Sequence, residues 1–418
     1  MAYACQNDWE IESLDVKTAF LYSQLDEEIY MEQPEGFKIG SSNKVYRLLR
    51  ALYGLKQATL AWNKELNKSL LQLSFKHSKA DPGVYYYQDK SGIMLFIVYV
   101  DDGLLMSNSS TLLKKKKTAF LKIWESCKMG PVKEYLGFQI ICDRSKRMMI
   151  LHQHPYVQKV LKRFELTEVK PAKTPLPQGY QPDITSRDYN ATASTRQKYQ
   201  SVIGSLLFVM LGTCPDIAFL VIKMSQFMAN PTEDHLKKAY HIVKYLSTTP
   251  ELVLYFSGGE TSLHAYCDSD WAGDLERRRS TSGYSIFLGH NLVSWPSHQQ
   301  PTVALSSTEA EYMFMCDCTQ QILWLKSLFH ECHLTLDHAV MFGDNKGAIN
   351  IAHNPNMEGQ SKHINIKYYF LWECVERNDF LLDWVPTMEQ QADLMTKNLT
   401  WPLFQENRLR LNLLPFKS

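Results

Sequence analysis

The chain has 418 residues, 45% of them hydrophobic and 21% charged, with 45 Lys and Arg set against 44 Asp and Glu for a formal net charge of +1. At roughly 100–200 residues per domain this length predicts about two to four domains, and the apolar fraction supports buried cores, which excludes a largely disordered chain. The near-zero charge excludes a uniformly basic nucleic-acid binder, so any such surface must be a local patch.

The segment after Met1 has neither a basic flank nor an apolar core and does not read as a signal peptide. From Trp9 to about Ile150, extended apolar runs alternate with helical stretches such as Ala61 to Leu73, the pattern of one α/β unit. The longest apolar run, Ile93 to Val100, is too short to span a bilayer and stops at Asp101-Asp102. Lys170 to Tyr199 is rich in Pro, Thr, Ser and Asp and reads as an exposed linker. Between Gln200 and Thr249 apolar residues recur at helical spacing in two segments divided at Asn230-Pro231. From Leu263 the order is strand, strand, strand, helix, strand, helix, with a hairpin turn at Gly289-His290-Asn291.

Nine cysteines without a regular framework read as reduced thiols of a cytoplasmic or nuclear, not secreted, protein. Cys316 and Cys318 lie near His330, Cys332 and His333, but a two-residue spacing points the first pair to different sides of a helix, so buried thiols are expected rather than zinc ligands.

Asp101 and Asp102 fall between the run Ile93 to Val100 and Gly103-Leu104-Leu105-Met106, where a buried hairpin should turn. Asp15 ends the strand-like Trp9 to Leu14. An Asp-Asp pair is also ordinary turn composition. Two strand-borne acids meeting at one sheet edge, however, repel each other unless divalent cations, about 3.5–4 Å apart in two-metal sites, neutralise them for in-line phosphoryl displacement.

A second set of acids lies further on. Asp268 ends the strand-like Leu263 to Cys267, and Asp344 follows the short apolar strand Ala339 to Phe342. Ser306-Ser307-Thr308-Glu309 has capping-box spacing, with Glu309 folding back on the amide of Ser306. Glu311 lies about 200° further round that helix, so it is assigned to the site and Glu309 to the cap. Asp393 lies at or near a helix start after the strand Leu381 to Val385. Each acid alone has a plain reading as a cap or solvated carboxylate; together, Asp268, Glu311, Asp344 and Asp393 form a set that bound divalent metal would make tolerable.

Tyr99-Val100-Asp101-Asp102 and Leu14-Asp15-Val16-Lys17-Thr18-Ala19-Phe20-Leu21 resemble the catalytic hairpin and strand of reverse transcriptases. Tyr30-Met31-Glu32-Gln33-Pro34-Glu35-Gly36-Phe37 and Leu52-Tyr53-Gly54-Leu55-Lys56-Gln57-Ala58 are similar to segments of the copia-type LTR retrotransposon Pol family. The order Asp, Glu, Asp, Asp resembles ribonuclease H. Arg278 to Tyr284, Val303 to Tyr312, Ser361 to Ile364, Ile203 to Leu207 and Pro215 to Phe219 extend the copia-type likeness over nearly the whole chain.

The resemblance implies an α/β and α+β multidomain protein: a reverse transcriptase palm over residues 1–150, a helical thumb and connection over 151–254 with the linker at about 170–199, a ribonuclease H-like mixed sheet with helices over 255–400, and a tail over 401–418. It implies an RNA-directed DNA polymerase with ribonuclease H activity, using two Mg²⁺ (or Mn²⁺) per catalytic site and acting on RNA template, DNA primer, RNA–DNA hybrid and dNTP, in the cytoplasm (in a virus-like particle) or the nucleus. Asp15, Asp101 and Asp102 would hold metal in the palm, with Phe20 as the aromatic gate beneath the deoxyribose and Gln57 in the nucleotide pocket; Asp268, Glu311, Asp344 and Asp393 would hold it in the nuclease. Tyr135 to Ile140 resembles the primer-gripping strand, and by pattern is an apolar strand with one Gly.

The chain departs from the family in places. It begins so close to Asp15 that the fingers region is expected to be missing, which predicts little primer extension. Thr59-Leu60 stands where the family usually has Pro-Arg, and Tyr369-Phe370-Leu371-Trp372 where a His-Phe-Ile-Arg segment is usual. These losses keep open a repurposed remnant that binds nucleic acid without catalysis. Of the basic runs, Arg277 to Arg279 is favoured as a phosphate contact and Lys114 to Lys117 is left unassigned.

Overall fold

The structure is a computed structural model. It describes the chain apart from residues 41–43, 125–126, 167–171, 179, 181, 183–185, 187, 275–276, 355–361 and 417–418, with backbone alone for 127–129, 362–366 and 368. The chain divides into two compact units, one comprising Asp8–Leu136 with Leu328–Leu334, the other Met1–Asn7, Gly137–Ser327 and Thr335–Ser418. The division therefore falls ahead of the expected limit at 150, and not in the linker. Among the described residues no helix is long and apolar enough to cross a membrane.

In the first unit, strands β1 (Glu10–Val16), β2 (Val84–Asp89), β3 (Gly92–Tyr99), β4 (Asp102–Ser107) and β5 (Cys127–Pro131) form an antiparallel sheet in the order β2-β3-β4-β1-β5, with the short strand Lys76–His77 beyond β2. The continuous apolar runs of β3 and β4 suit a sheet covered by side chains, and Met94, Phe96, Leu104 and Leu105 are buried. Helices α1 (Ala58–Gln72) and α2 (Ser110–Ile123) supply Trp62, Leu66, Leu70, Leu112 and Phe120 to the core shared with Leu14, Val16 and Phe96. Ser109 caps α2 by accepting from the amide of Leu112.

The second unit holds two sheets. Strands β6 (Phe138–Asp143), β7 (Met148–His152) and β8 (Leu252–Ser257) pair antiparallel with the C-terminal strand Leu413–Pro415 at the edge beside β8. The segment Tyr135 to Ile140 is not one continuous strand: Leu136 and Gly137 take φ of 50° and 82° and turn the chain before β6. Helices α3 (His154–Arg163), α4 (Ala193–Gly212), α5 (Ala218–Ser225) and α6 (Glu233–Ser247) follow. The expected linker thus ends early, because Thr192 caps α4 by accepting from the amide of Thr195; Leu176 and Ala191 are buried rather than exposed. The helical stretch after it has three helices, not two, with the additional break at Thr213-Cys214-Pro215 where Pro cannot continue α4.

The third sheet is built from β9 (Leu263–Asp270), β10 (Thr281–Leu288), β11 (Asn291–Ser294), β12 (Ser297–Gln299), β13 (Ala339–Gly343) and β14 (Leu381–Trp384). Its order is β11-β10-β9-β13-β14, antiparallel over the first three strands and parallel over the last three, with β12 also on β10. Gly289, at φ 57°, makes the hairpin turn between β10 and β11. Helices α7 (Ser307–Glu331), α8 (Lys346–His353) and α9 (Lys362–Glu376) alternate with the parallel strands. This is the mixed sheet with helices that the ribonuclease H likeness implies.

Of the expected tail over 401–418, residues 401–410 form a helix and 413–415 a strand. Pro402 opens helix α10 (Trp401–Arg410), Phe404 and Leu411 are buried, and β15 (Leu413–Pro415) is the edge strand on β8.

Candidate metal centre

Three elements of the third sheet converge at one end. Asp268 sits near the end of the central strand β9, Asp344 follows β13 where the chain enters α8, and Glu311 lies in the second turn of α7. Each of the three offers a carboxylate oxygen within 4.8 Å of the others, and Asp268 and Glu311 are buried. Asn345 caps α8 by accepting from the amide of Ala348, which fixes Asp344 just outside the helix. Asp344 also accepts from Thr387 Oγ1 at 2.8 Å, and its backbone oxygen accepts from Trp384 Nε1 at 3.1 Å. The cap on α7 is close to expectation, with Ser306 Oγ accepting from the Glu309 amide; the Glu309 carboxylate, however, accepts from the amide of Leu305, one residue earlier than expected. Glu311 is thereby left to the interior.

The electrostatics fit a cation site. Burial first, then the charges of Asp268 and Asp344, hold the Glu311 carboxyl well above the usual range, against the pull of Lys397. Its Oε2 is buried with no hydrogen-bond donor. Three acids meeting at a largely buried sheet end, with an orphaned oxygen among them, form an all-oxygen donor set suited to a hard divalent ion such as Mg²⁺ or Mn²⁺. Asp393 is not one of the three gathered acids. It opens a short 3₁₀ turn, Asp393–Met395, and its Oδ1 accepts from Lys397 Nζ at 2.8 Å. Burial and Asp268 push the Asp393 carboxyl up to about 6, with Lys397 acting in the opposite direction. Lys397 Nζ also lies 3.1 Å from Asp268, whose Oδ2 accepts from Thr396 Oγ1.

In the first unit, Asp15 and Asp102 are direct cross-strand partners at the end of β1 and β4, and Asp101 occupies the turn between β3 and β4. Burial, then Asp101, Asp15 and Glu134, raise the Asp102 carboxyl. The turn is strained, with the β-branched Val100 at φ 58°. It is tied down by Trp62 Nε1 donating to the Val100 oxygen at 2.6 Å and the Val16 amide donating to the Asp101 oxygen at 3.1 Å. Tyr53 donates its hydroxyl to Asp101 Oδ2 at 3.1 Å. Phe20 is buried in the core with its ring 4.5 Å from that of Tyr53 in an edge arrangement, and Gln57 Nε2 donates to Glu27 at 2.7 Å.

The basic runs differ. Arg277 and Arg278 are exposed in the loop between β9 and β10. Lys116, by contrast, is buried, donating to the Leu73 oxygen at 2.5 Å with its ammonium 3.3 Å from the Tyr87 ring centroid, and Lys117 pairs with Glu12 at 2.6 Å. Cys316 and Cys318 are buried, and burial pushes the Cys316 thiol up to about 12, so they are structural thiols. Ser361 lies outside the described residues, as do the side chains of Lys362 to Ile364.

Sequence reasoning missed Thr396, Lys397, Thr387 and Tyr53. For Lys397 a signal existed, the four-residue spacing from Asp393 that lets opposite charges meet across one turn. The hydroxyl partners carry no such pattern.

A sheet carrying a strained Tyr99 to Asp102 turn and a mixed sheet with converging acids thus stand together in one chain. Residues 1–178 match the family described as "Reverse transcriptase (RNA-dependent DNA polymerase)". The chain is 34% identical over 404 residues to the retrovirus-related Pol polyprotein from transposon TNT 1-94 of Nicotiana tabacum, covering 95% of this chain and 30% of that one. It is 33% identical over 317 residues to a putative transposon Ty5-1 protein of Saccharomyces cerevisiae, covering 74% of this chain and all of that protein. The fold is similar to that of the foamy viral protease-reverse transcriptase in complex with dsDNA, at a TM-score of 0.51 and 13% identity over 93% of this chain and 70% of that one. The chain belongs to the copia-type retrotransposon Pol family and spans less than a third of the Nicotiana polyprotein.

Proposed function

We propose that the second unit hydrolyses the RNA strand of RNA–DNA hybrids and that the first carries the polymerase palm that copies RNA into DNA. The observation that carries the nuclease reading is the meeting of Asp268, Glu311 and Asp344 within 4.8 Å around an oxygen of Glu311 that has no donor. Bound Mg²⁺ or Mn²⁺ would activate a water and neutralise charge on the scissile phosphate. The protein's own share is to hold the donors. Asp268 comes from the central strand, Asp344 is braced by Thr387, Glu311 is freed from capping by Glu309, and Lys397 links Asp393 to Asp268. Exposed Arg277 and Arg278 suit contact with the nucleic-acid backbone.

In the palm, Asp15, Asp101 and Asp102 would hold the ions that bind the dNTP, with Phe20 below the sugar, Gln57 at the nucleotide pocket, and RNA template and DNA primer as partners. The family membership and the fold support this assignment.

The nuclease is tested with a labelled RNA–DNA hybrid and the full chain in Mg²⁺ or Mn²⁺. Cleavage of the RNA strand is expected, falling to background in Asp344→Asn; undiminished cleavage by the variant would sink the site assignment. Hybrid binding without cleavage by the parent chain would instead favour the non-catalytic reading. Any primer extension on a poly-A template should disappear in Asp101→Asn, and extension that survives would remove Asp101 from the polymerase site.

A further inference from the structure

Of the three gathered acids, Asp344 is the least enclosed. Asp268 is fixed on the central strand β9 and Glu311 on α7, and both are buried, whereas Asp344 is half-buried at the junction of β13 and α8. Its backbone is anchored, with the carbonyl accepting from Trp384 Nε1 at 3.1 Å and Asn345 capping the helix that follows. Among the described residues its carboxylate has one hydrogen-bond donor, Thr387 Oγ1, which reaches Oδ2 at 2.8 Å.

That hydroxyl is itself held in place. Pro386, at φ −59°, leads into the 3₁₀ turn Thr387–Glu389 and restricts the chain there. Arg410 Nη1 donates to the Met388 oxygen at 2.5 Å, and the buried Gln390 donates to the oxygen of Cys267, the residue before Asp268, at 3.0 Å. The turn is thus tied to the strand that carries Asp268, and Thr387, although exposed, sits on an anchored backbone. A hydroxyl is neutral, so it engages one oxygen of Asp344 without cancelling the charge that a metal needs. While that bond is kept, Asp344 meets a cation through its other oxygen. Mg²⁺ suits this restriction, because it takes near-octahedral sets of single oxygens completed by water, and Mn²⁺ shares the preference; Ca²⁺ takes about six to eight oxygens, often with carboxylates that chelate through both.

We propose that Thr387 is a positioning residue of the metal centre, whose hydroxyl limits Asp344 to one free oxygen and so turns the site toward Mg²⁺ or Mn²⁺ and away from Ca²⁺. The inference deepens the metal reading proposed above and rests on it.

The test is Mn²⁺ binding to the full chain without nucleic acid, followed by electron paramagnetic resonance and competed with Ca²⁺, counting only Mn²⁺ whose binding is lost in Asp344→Asn. Thr387→Val, which exchanges the hydroxyl for a methyl, is expected to lower the ratio of Mn²⁺ to Ca²⁺ affinity about tenfold. Thr387→Ser, which keeps the hydroxyl, should retain the parent's ratio. Because Thr387 is exposed, neither change disturbs the core.

A Thr387→Val protein with the parent's ratio would overturn the role of Thr387, and so would one that binds both ions more weakly by the same factor, the mark of a merely structural contact. A Thr387→Ser ratio as low as that of Thr387→Val would rule out the hydroxyl and overturn it equally. In each of these outcomes the parent still binds Mn²⁺ and the metal reading stands. A parent with no Asp344-dependent Mn²⁺ would bring down the metal reading itself, and the inference with it.

Discussion

Glu311 is buried with one carboxylate oxygen that has no donor, an arrangement that destabilises the folded chain by about 1–3 kcal/mol unless something supplies a partner. Divalent metal is the expected partner, so stability and metal binding should oppose each other at this residue. In metal-free buffer, Glu311→Gln is expected to unfold at a temperature no lower than the parent, since burial, Asp268 and Asp344 already disfavour a charge at this position. Mn²⁺ should raise the parent's Tm through its preference for the folded state and leave that of the variant unchanged. Thermal melts with and without Mn²⁺ decide it; an equal rise in both proteins would place the ion elsewhere. Much of this residue-scale picture was legible from the chain. Helical geometry separated Glu311 from its capping neighbour Glu309, and strand ends marked Asp268 and Asp344. Asp393 is the acid that pattern placed least well, because its carboxylate is held by Lys397, and a cation four residues away looks the same in a sequence whether it pairs with solvent or with a site.

Among the elements, the turn between β3 and β4 shows how a local strain is held by distant residues. Val100 lies in the left-handed region, unfavourable for a β-branched side chain, and Trp62 in α1 donates to its carbonyl. Gly103 lets Phe96 pack against the start of β4, where an added Cβ would stand 2.5 Å from the Phe96 ring. Gly103→Ala is therefore expected to destabilise the first unit by about 1–3 kcal/mol through overpacking, and Trp62→Phe by about 1 kcal/mol through loss of one hydrogen bond. Urea unfolding followed by far-ultraviolet circular dichroism measures both, and a Gly103→Ala variant as stable as the parent would show that Phe96 has room to move. The apolar run of β3 and its stop at two aspartates made this hairpin readable from sequence. The early start of α4 and the pairing of β15 with β8 were not. Thr192 resembles any other residue of a Thr- and Ser-rich stretch, and Leu413-Leu414 is too short to announce a strand whose partner, Leu252–Ser257, lies far back in the chain.

At the scale of the molecule, β15 joins the C-terminal segment to the sheet through β8, and buried polar groups join helix α10 to the helical segment of the second unit. Tyr245 of α6 donates to Asp216, just ahead of α5, and Arg408 of α10 donates to the Tyr245 hydroxyl at 2.9 Å. All three residues are buried. Burial raises the Asp216 carboxyl, while Tyr245 and Arg408 pull it back. Asp216 belongs to a segment that the family likeness marks, yet no pattern in the chain tells that its partner is Arg408, because the two are brought together only by the fold. Arg408→Met removes the cation and leaves the acid buried without it, a change that typically destabilises by about 3–5 kcal/mol. The double variant Asp216→Leu with Arg408→Met leaves no uncompensated charge and is expected to regain part of that loss, and Tyr245→Phe to cost about 1–3 kcal/mol by stranding the Asp216 oxygen. Urea midpoints of the parent, Asp216→Leu, Arg408→Met and the double variant complete the cycle. Equal losses in the single and double variants would mean that Arg408 acts through the packing of its side chain against Trp401 and Phe404, over whose rings its guanidinium lies at 5.4 Å and 5.3 Å, and that Asp216 is neutral in the folded chain.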